Sequence, residues 1–216
     1  MAYGTEMKRL NPCGDEVILP LLLEYCPAPA AILDAGCGRG DRLAALHRAL
    51  PAAKLRGIDR DAENAALAKA ACPAAEITVG ELCALPRPEP VFDAALCECT
   101  LSLTDAPAAG LAALAGCLRP GGVLLLGDLC AEGNPVTVAC GTVRRVFSRS
   151  ALEQSFLRAG FVIREYRDQR EALLTMAAQM IMDGSFCSCV DPAAAAALKQ
   201  HQAGYGLWVL EKEGNR

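Results

Sequence analysis

Three glycines alternate with other residues in Ile32-Leu33-Asp34-Ala35-Gly36-Cys37-Gly38-Arg39-Gly40, at the end of a short apolar run. A loop built this way lets backbone amides approach a ligand that side chains would hold off. Asp59 closes a second apolar run nineteen residues after Gly40. A carboxylate in that place can accept hydrogen bonds from both hydroxyls of a ribose. Together these residue types point to a ligand that carries a nucleoside, at the mouth of a parallel sheet.

Other side chains offer further chemistry. Glu98 follows a fourth apolar run and is a candidate general base; the plainer reading is a solvent-facing or helix-capping glutamate. Cys97 with Cys99, and Cys187 with Cys189, form two Cys-x-Cys pairs. Thiolates bind soft metals or metalloids, and cysteines two apart in a strand face the same way, so the first pair could converge. Zinc ligands more often show a two-residue spacer, and buried cysteine commonly acts as a small hydrophobe. Arg144 and Arg145 open a run of seven arginines that ends at Arg170. They could grip an anionic substrate, or belong to a solvated face balanced by Glu153, Glu165 and Asp168. His47 and His201 read as surface histidines.

The elements that must position these residues alternate along the chain. Residues 13–25 read as a leading helix with Pro20 as a kink or restart. Strands are expected at 31–35, 55–58, 76–79, 91–97 and 123–126. Helices are expected at 41–50 with Asp41 as cap, from Asp61 to about 71, and at 107–117. Arg119-Pro120-Gly121-Gly122 reads as a tight turn into the fifth strand. This order is that of a parallel sheet covered by helices on both faces, whose ligand loops lie at the carboxyl ends of the strands. The last third adds a helix at 150–159, a strand at 161–165, a helix from Leu173 ending at Gly184, a helix opened by Asp191-Pro192, and a closing strand at 205–211.

Composition narrows the classes. With 216 residues, 53% of them hydrophobic and 21% charged, the chain suits one well-filled α/β domain. A formal net charge of −4 argues against wholesale phosphate-backbone binding, and no apolar run reaches membrane-spanning length. Twelve cysteines without an export signal read as mostly free thiols in the cytoplasm. A dinucleotide fingerprint would place its third glycine three positions after Gly38. Asp41 stands there instead and would repel a pyrophosphate, which sets a nicotinamide dehydrogenase aside.

As a set, Leu33–Gly40, Asp59, Gly80-Glu81-Leu82, Phe92-Asp93 and Leu118-Arg119-Pro120-Gly121-Gly122 resemble a class I S-adenosylmethionine-dependent methyltransferase over roughly residues 30–130. The resemblance implies a Rossmann-like, mostly parallel seven-stranded sheet with an antiparallel last strand. It implies S-adenosylmethionine as cofactor and a small-molecule acceptor. Asp34 and the amides around Gly36, Cys37, Gly38 and Gly40 would hold the methionyl part. Asp59 would take the ribose, with Arg60 beside the adenine. Glu81, where the family often has aspartate, and Leu82 would meet the adenine, and Cys97 would lie under the cofactor. Cys97-Glu98-Cys99-Thr100 stands where many nucleic-acid or protein methyltransferases carry an Asn-Pro-Pro-Tyr-like motif, so neither macromolecule is favoured as acceptor. No resident metal is expected.

The expectation is one domain over 1–216: a helical lid at 1–25, a cofactor core at 30–130, and a substrate side with the last strand pair at 135–216. Residues 135–150 would add to the lid. The helices between Arg170 and Gln202 would close the rim or pair it with a second copy. The competing class is a non-catalytic cofactor-binding or metal-handling accessory protein that uses the Cys-x-Cys pairs.

Overall fold

The computed structural model describes residues 11–85, 91–133, 136–140, 143–182 and 203–214, with the backbone alone for 136–140, 143, 144 and 181. Its elements begin with α1 (Asp15–Tyr25), β1 (Ala31–Ala35), α2 (Asp41–Ala49), β2 (Lys54–Asp59), α3 (Ala62–Ala71) and β3 (Glu76–Val79). Next come β4 (Phe92–Glu98), α4 (Pro107–Cys117), β5 (Leu118–Ala131), β6 (Val136–Cys140) and β7 (Val143–Ser148). The chain closes with α5 (Arg149–Arg158), β8 (Phe161–Asp168), α6 (Arg170–Met182) and β9 (Gly204–Lys212). Single 3-10 turns follow β3 (Leu82–Ala84) and β4 (Leu101–Leu103).

The strands β3, β2, β1, β4 and β5 lie side by side in that order and run parallel. β9 pairs antiparallel with β5, placing Leu125 opposite Val209, and β8 pairs antiparallel with β9. Those seven strands are the sheet expected from the sequence. Two more extend it. β7 pairs parallel with the end of β5 through Cys130 and Ala131, on the edge that β4 leaves after Gly127, and β6 pairs antiparallel with β7. Residues expected to form a lid around 135–150 are therefore largely a two-stranded ribbon, carried on the carboxyl end of β5.

Both faces of the sheet are buried. β5 is covered from Val123 through Asp128, which is why it reads as an unbroken apolar run. Alternate residues of β1 supply the two cores: Leu33 joins Leu114, Phe156 and Trp208, whereas Ile32 joins Ile18, Leu22 and Leu46. α1 thus belongs to the second core, with Ile18 and Leu22 at 0% exposure.

Local signals explain most boundaries. Asp61 caps α3, accepting from the amides of Glu63 at 2.8 Å and Asn64 at 3.1 Å. α2 departs from expectation, because its cap is Gly40 in the left-handed region and Asp41 sits inside the first turn. There the acid favours the positive helix end without capping it. α1 runs through Pro20 as one helix, with the ring on its exposed side. Arg119–Gly122 lies within β5 as an irregularity, between the pairs Phe92–Leu118 and Ala94–Val123.

One staple ties the amino end of the sheet. Asp93 Oδ2 accepts from Ala30 N at 2.8 Å and Ala31 N at 2.9 Å, and Oδ1 receives the Arg119 guanidinium. Phe92-Asp93 and Arg119 therefore act at the end opposite the ligand loops. At the carboxyl end, order reverses between β1 and β4, the place where parallel sheets open a crevice. Asp34, Asp59 and Glu98 all stand on that edge.

Candidate active site

The glycine loop is clasped to the end of β2. The amides of Gly36 and Cys37 donate to the carbonyl of Ile58 at 2.8 and 3.0 Å. The Gly38 amide donates to Asp59 Oδ2 at 2.8 Å, while Asp59 Oδ1 accepts from Asp61 N at 2.9 Å. Each oxygen so engaged keeps a further lone pair, since a carboxylate has about four acceptor sites. The Gly80 amide donates to the Asp59 carbonyl at 2.9 Å. That bond brings the turn carrying exposed Glu81 beside the same acid and beside exposed Arg60.

The three loop glycines serve different ends, although all have positive φ: +79° at Gly36, +52° at Gly38 and +87° at Gly40. A Cβ on Gly36 would meet Thr100 Oγ1 at 2.1 Å, and one on Gly40 would meet the Ala68 backbone at 2.6 Å. A Cβ on Gly38 would have nothing within 4 Å. Gly36 and Gly40 let the loop pack; Gly38 is the one that looks into open space.

Asp34 ends up 5% exposed, and its Oδ2 is buried without a hydrogen-bond partner. Burial first, then the negative charge of Glu98, pushes this carboxyl up to about 7, against the pull of Arg42. An unmatched buried carboxylate oxygen on the strand that feeds the glycine loop fits the ammonium end of an amino-acid-bearing nucleoside. Asp59, with two lone pairs to offer, fits the ribose. The residues present therefore suit S-adenosylmethionine.

Glu98 is fixed by Arg42. Arg42 Nε donates to Glu98 Oε1 at 3.0 Å and Nη2 to Oε2 at 3.2 Å, with both residues buried. Thr100 Oγ1 donates to the carbonyls of Ala35 at 3.2 Å and Glu98 at 2.9 Å, joining the ends of β1 and β4. Leu82 packs its side chain into the core that also holds Leu101 and Leu111.

Cys97 and Cys99 do not converge. Cys97 is 1% exposed in one core, while Cys99 packs against the other. Cys99 lies beyond β4 with φ of 51°, so the pleat no longer governs it, and its thiol reaches Tyr205 Oη at 3.6 Å. Burial pushes both thiols well above their ordinary range. Cys187, Cys189, His201 and the Asp191-Pro192 helix start lie outside the described residues. Among the described residues, no group of three or more His, Cys, Asp or Glu side chains is placed to hold a metal, and the nine cysteines are free thiols.

At the edge after β4 and β5, Arg145 Nη2 donates to the carbonyl of Thr104 at 3.1 Å, and its Nε is buried without a partner. Arg144 stands next to it in β7, its side chain outside the described residues. Two residues escaped the sequence reading. Asp128, 0% exposed, accepts from Ser102 N at 2.9 Å and Leu129 N at 2.7 Å, pinning the loop after β4 to β5. Its signal was an acid within the apolar run of β5. Arg42 shares a helical stripe with Ala45 and Leu46, an arginine where an apolar residue would be usual.

Residues 32–122 match the family model described as a methyltransferase domain. An uncharacterized 37.1 kDa protein carried in a transposon of Streptomyces fradiae is 30% identical over 147 residues, which are 66% of this chain and 42% of that protein. This chain thus spans less than half the length of that relative. Among solved structures, the [4+2]-cyclase SpnF aligns with a TM-score of 0.72 and 21% identity, over 91% of this chain and 80% of its own. The 1,6-didemethyltoxoflavin-N1-methyltransferase of Burkholderia thailandensis, with 1,6-didemethyltoxoflavin and S-adenosylhomocysteine bound, aligns with a TM-score of 0.64 and 21% identity, over 90% of this chain and 76% of its own. The chain shares the fold of these solved structures, and its residues 32–122 match a family model described as a methyltransferase domain.

Proposed function

We propose that this chain transfers a methyl group from S-adenosylmethionine to a small-molecule acceptor. One observation carries the reading: open space over Gly38, whose amide is held by the Asp59 carboxylate, in a loop fed by the strand that carries the unmatched oxygen of Asp34. The cofactor supplies an electrophilic methyl group on a positively charged sulfur. The residues of the chain bind and orient. Asp34 takes the ammonium, the loop amides take the methionyl carboxylate, Asp59 takes the ribose hydroxyls, and Glu81, the Leu82 backbone and Arg60 border the adenine. Cys97 forms part of the floor beneath.

Methyl displacement needs alignment above all. Glu98, with both oxygens on Arg42, serves as an anchor for the end of β4, and the acceptor atom attacks as an already nucleophilic group. Arg145, with Arg144 beside it in β7, favours an acceptor that carries an anionic group near Thr104. α1 and the β6–β7 ribbon flank the acceptor side of the 1–216 domain, and the rim formed by α6 is the surface on which a second copy would pair. Among the described residues no helix is long and apolar enough to cross a membrane. Free thiols suit the reducing cytoplasm, and the net charge of −4 leaves nucleic acid unfavoured as a partner.

The fold alone does not select this chemistry, since a neighbour of the same fold is named a cyclase. The test is turnover of methyl-labelled S-adenosylmethionine against pools of small acidic and neutral acceptors. Label appearing in a small product, with S-adenosylhomocysteine formed in equal amount, is the expected result. Tight binding of the cofactor with no turnover in any pool would favour the non-catalytic alternative.

A further inference from the structure

Buried charges from separate elements meet beneath the glycine loop. Arg42, from the first turn of α2, is 7% exposed. Besides Glu98 of β4 it holds the Cys13 carbonyl through Nη2 at 2.9 Å and Asp15 of α1 through Nη1. Asp34 of β1 lies close enough to feel both Glu98 and Arg42, and Asp59 of β2 acts on it more weakly. The negative charge of Asp34 also raises the thiols of Cys37, in the loop, and Cys97, in β4, after burial.

The buried charges do not balance. Asp15 is 40% exposed and solvated, so the buried carboxylates set against Arg42 are Asp34 and Glu98; with all ionised they leave one negative charge in excess, and the oxygen without a partner belongs to Asp34. Both Glu98 oxygens receive the guanidinium, so the excess falls on Asp34, whose Oδ2 has no hydrogen-bond partner. Without Arg42 two carboxylates would compete, and a proton would settle on one of them before any ligand arrived.

We propose that Arg42 is a positioning residue for cofactor capture: by neutralising Glu98 it leaves Asp34, whose Oδ2 has no hydrogen-bond partner, as an uncompensated buried carboxylate ready for the ammonium of an S-adenosyl amino acid. The inference rests on the cofactor reading given above. Its consequence is a pH limit on capture that depends on the amino-acid part of the ligand. Below neutrality Asp34 takes up a proton, and a neutral carboxyl no longer matches an ammonium. An adenosine without that part, such as 5′-methylthioadenosine, makes no use of Asp34.

Calorimetric titration of the full chain with S-adenosylhomocysteine and with 5′-methylthioadenosine, between about pH 5 and 8.5, tests this. The expected result is weakening of S-adenosylhomocysteine binding below neutrality, with 5′-methylthioadenosine unaffected. Glu98→Gln removes a negative neighbour and should move the limit down by roughly one pH unit; Arg42→Met should move it up by a similar amount. A merely structural Arg42 would weaken both ligands alike at every pH and leave the limit in place, which would overturn the inference. If Arg42→Met does not fold, an unmoved limit in Glu98→Gln alone overturns it. Asp34→Asn separates the two levels. Undiminished S-adenosylhomocysteine affinity in that variant would remove the cofactor assignment itself. A weakened Asn variant with an unmoved limit in Glu98→Gln would remove only the role of Arg42.

Discussion

The Asp59 carboxylate holds the backbone N–H of Gly38 at 2.8 Å, across 21 positions of sequence. The acid assigned to the ribose is therefore also a structural part of the glycine loop. Its second oxygen accepts from Asp61, the residue that caps α3. Loop, acid and helix start form one hydrogen-bonded unit, so the proposed sugar and methionyl sites would be positioned together.

Substitutions at Gly36 and Gly38 should separate packing from binding. Gly36→Ala drives a Cβ to 2.1 Å from Thr100 Oγ1, a hydroxyl already held by two carbonyls. A loss of about 2 kcal/mol or more in denaturant unfolding is expected. Gly38→Ala meets no atom and costs only about 1–2 kcal/mol for its left-handed backbone. Its methyl group occupies the space assigned to the cofactor, so affinity should fall more than tenfold. Equal affinity in Gly38→Ala and wild type, read by equilibrium binding, would move the cofactor elsewhere.

Asp34 should make the ligand-free protein less stable as pH rises. Its carboxyl titrates near 7 in the folded chain, against an ordinary value of 3.8. The folded state thus holds the proton more tightly than the unfolded state, and stability falls from about pH 4 to about pH 7 before levelling off. Asp34→Asn removes that loss. The Asn variant should be more stable than wild type at pH 8, by on the order of 1–3 kcal/mol, with no advantage near pH 4. Thermal melts across this range check the sign. Added cofactor should raise the wild-type melting temperature and leave the Asn variant nearly unchanged.

Asp93 should behave in the opposite sense. Burial alone would raise its carboxyl, but the Ala31 and Ala30 amides and Arg119 outweigh burial and hold it below the usual range. Its contribution is therefore present above the unfolded value near pH 4 and is lost as pH falls further. Asp93→Ala should cost about 1–2 kcal/mol at neutral pH. Because the staple lies at the far end of the sheet, cofactor affinity at saturating fold should stay within a factor of about two. A large loss of affinity in a well-folded variant would contradict this separation.

Much of this architecture could be read from local patterns. Five parallel strands announced themselves as apolar runs ending at glycine or an acid, and α4 began at Pro107 as its first-turn proline suggests. Interactions over long separations could not. Arg42 finds Glu98 across 56 positions and Asp15 across 27, and no spacing rule links an arginine in one helix to an acid at the end of a distant strand. The Cys97–Cys99 inference failed because it assumed that the pleat continued, whereas β4 stops at Glu98 and Cys99 turns to positive φ. The β6–β7 ribbon is placed by pairing at long range, Cys130 opposite Phe147 and Ala131 opposite Ser148, which no local pattern announces.

Retention of methyl-labelled S-adenosylmethionine by wild type and by Asp59→Ala, in equilibrium dialysis, tests the central claim most directly. One equivalent held by wild type is expected, with affinity at least tenfold lower in the alanine variant, because two charge-assisted hydrogen bonds to the ribose are lost with the loop's anchor. No retention by wild type, or equal retention by a folded Asp59→Ala, would contradict it.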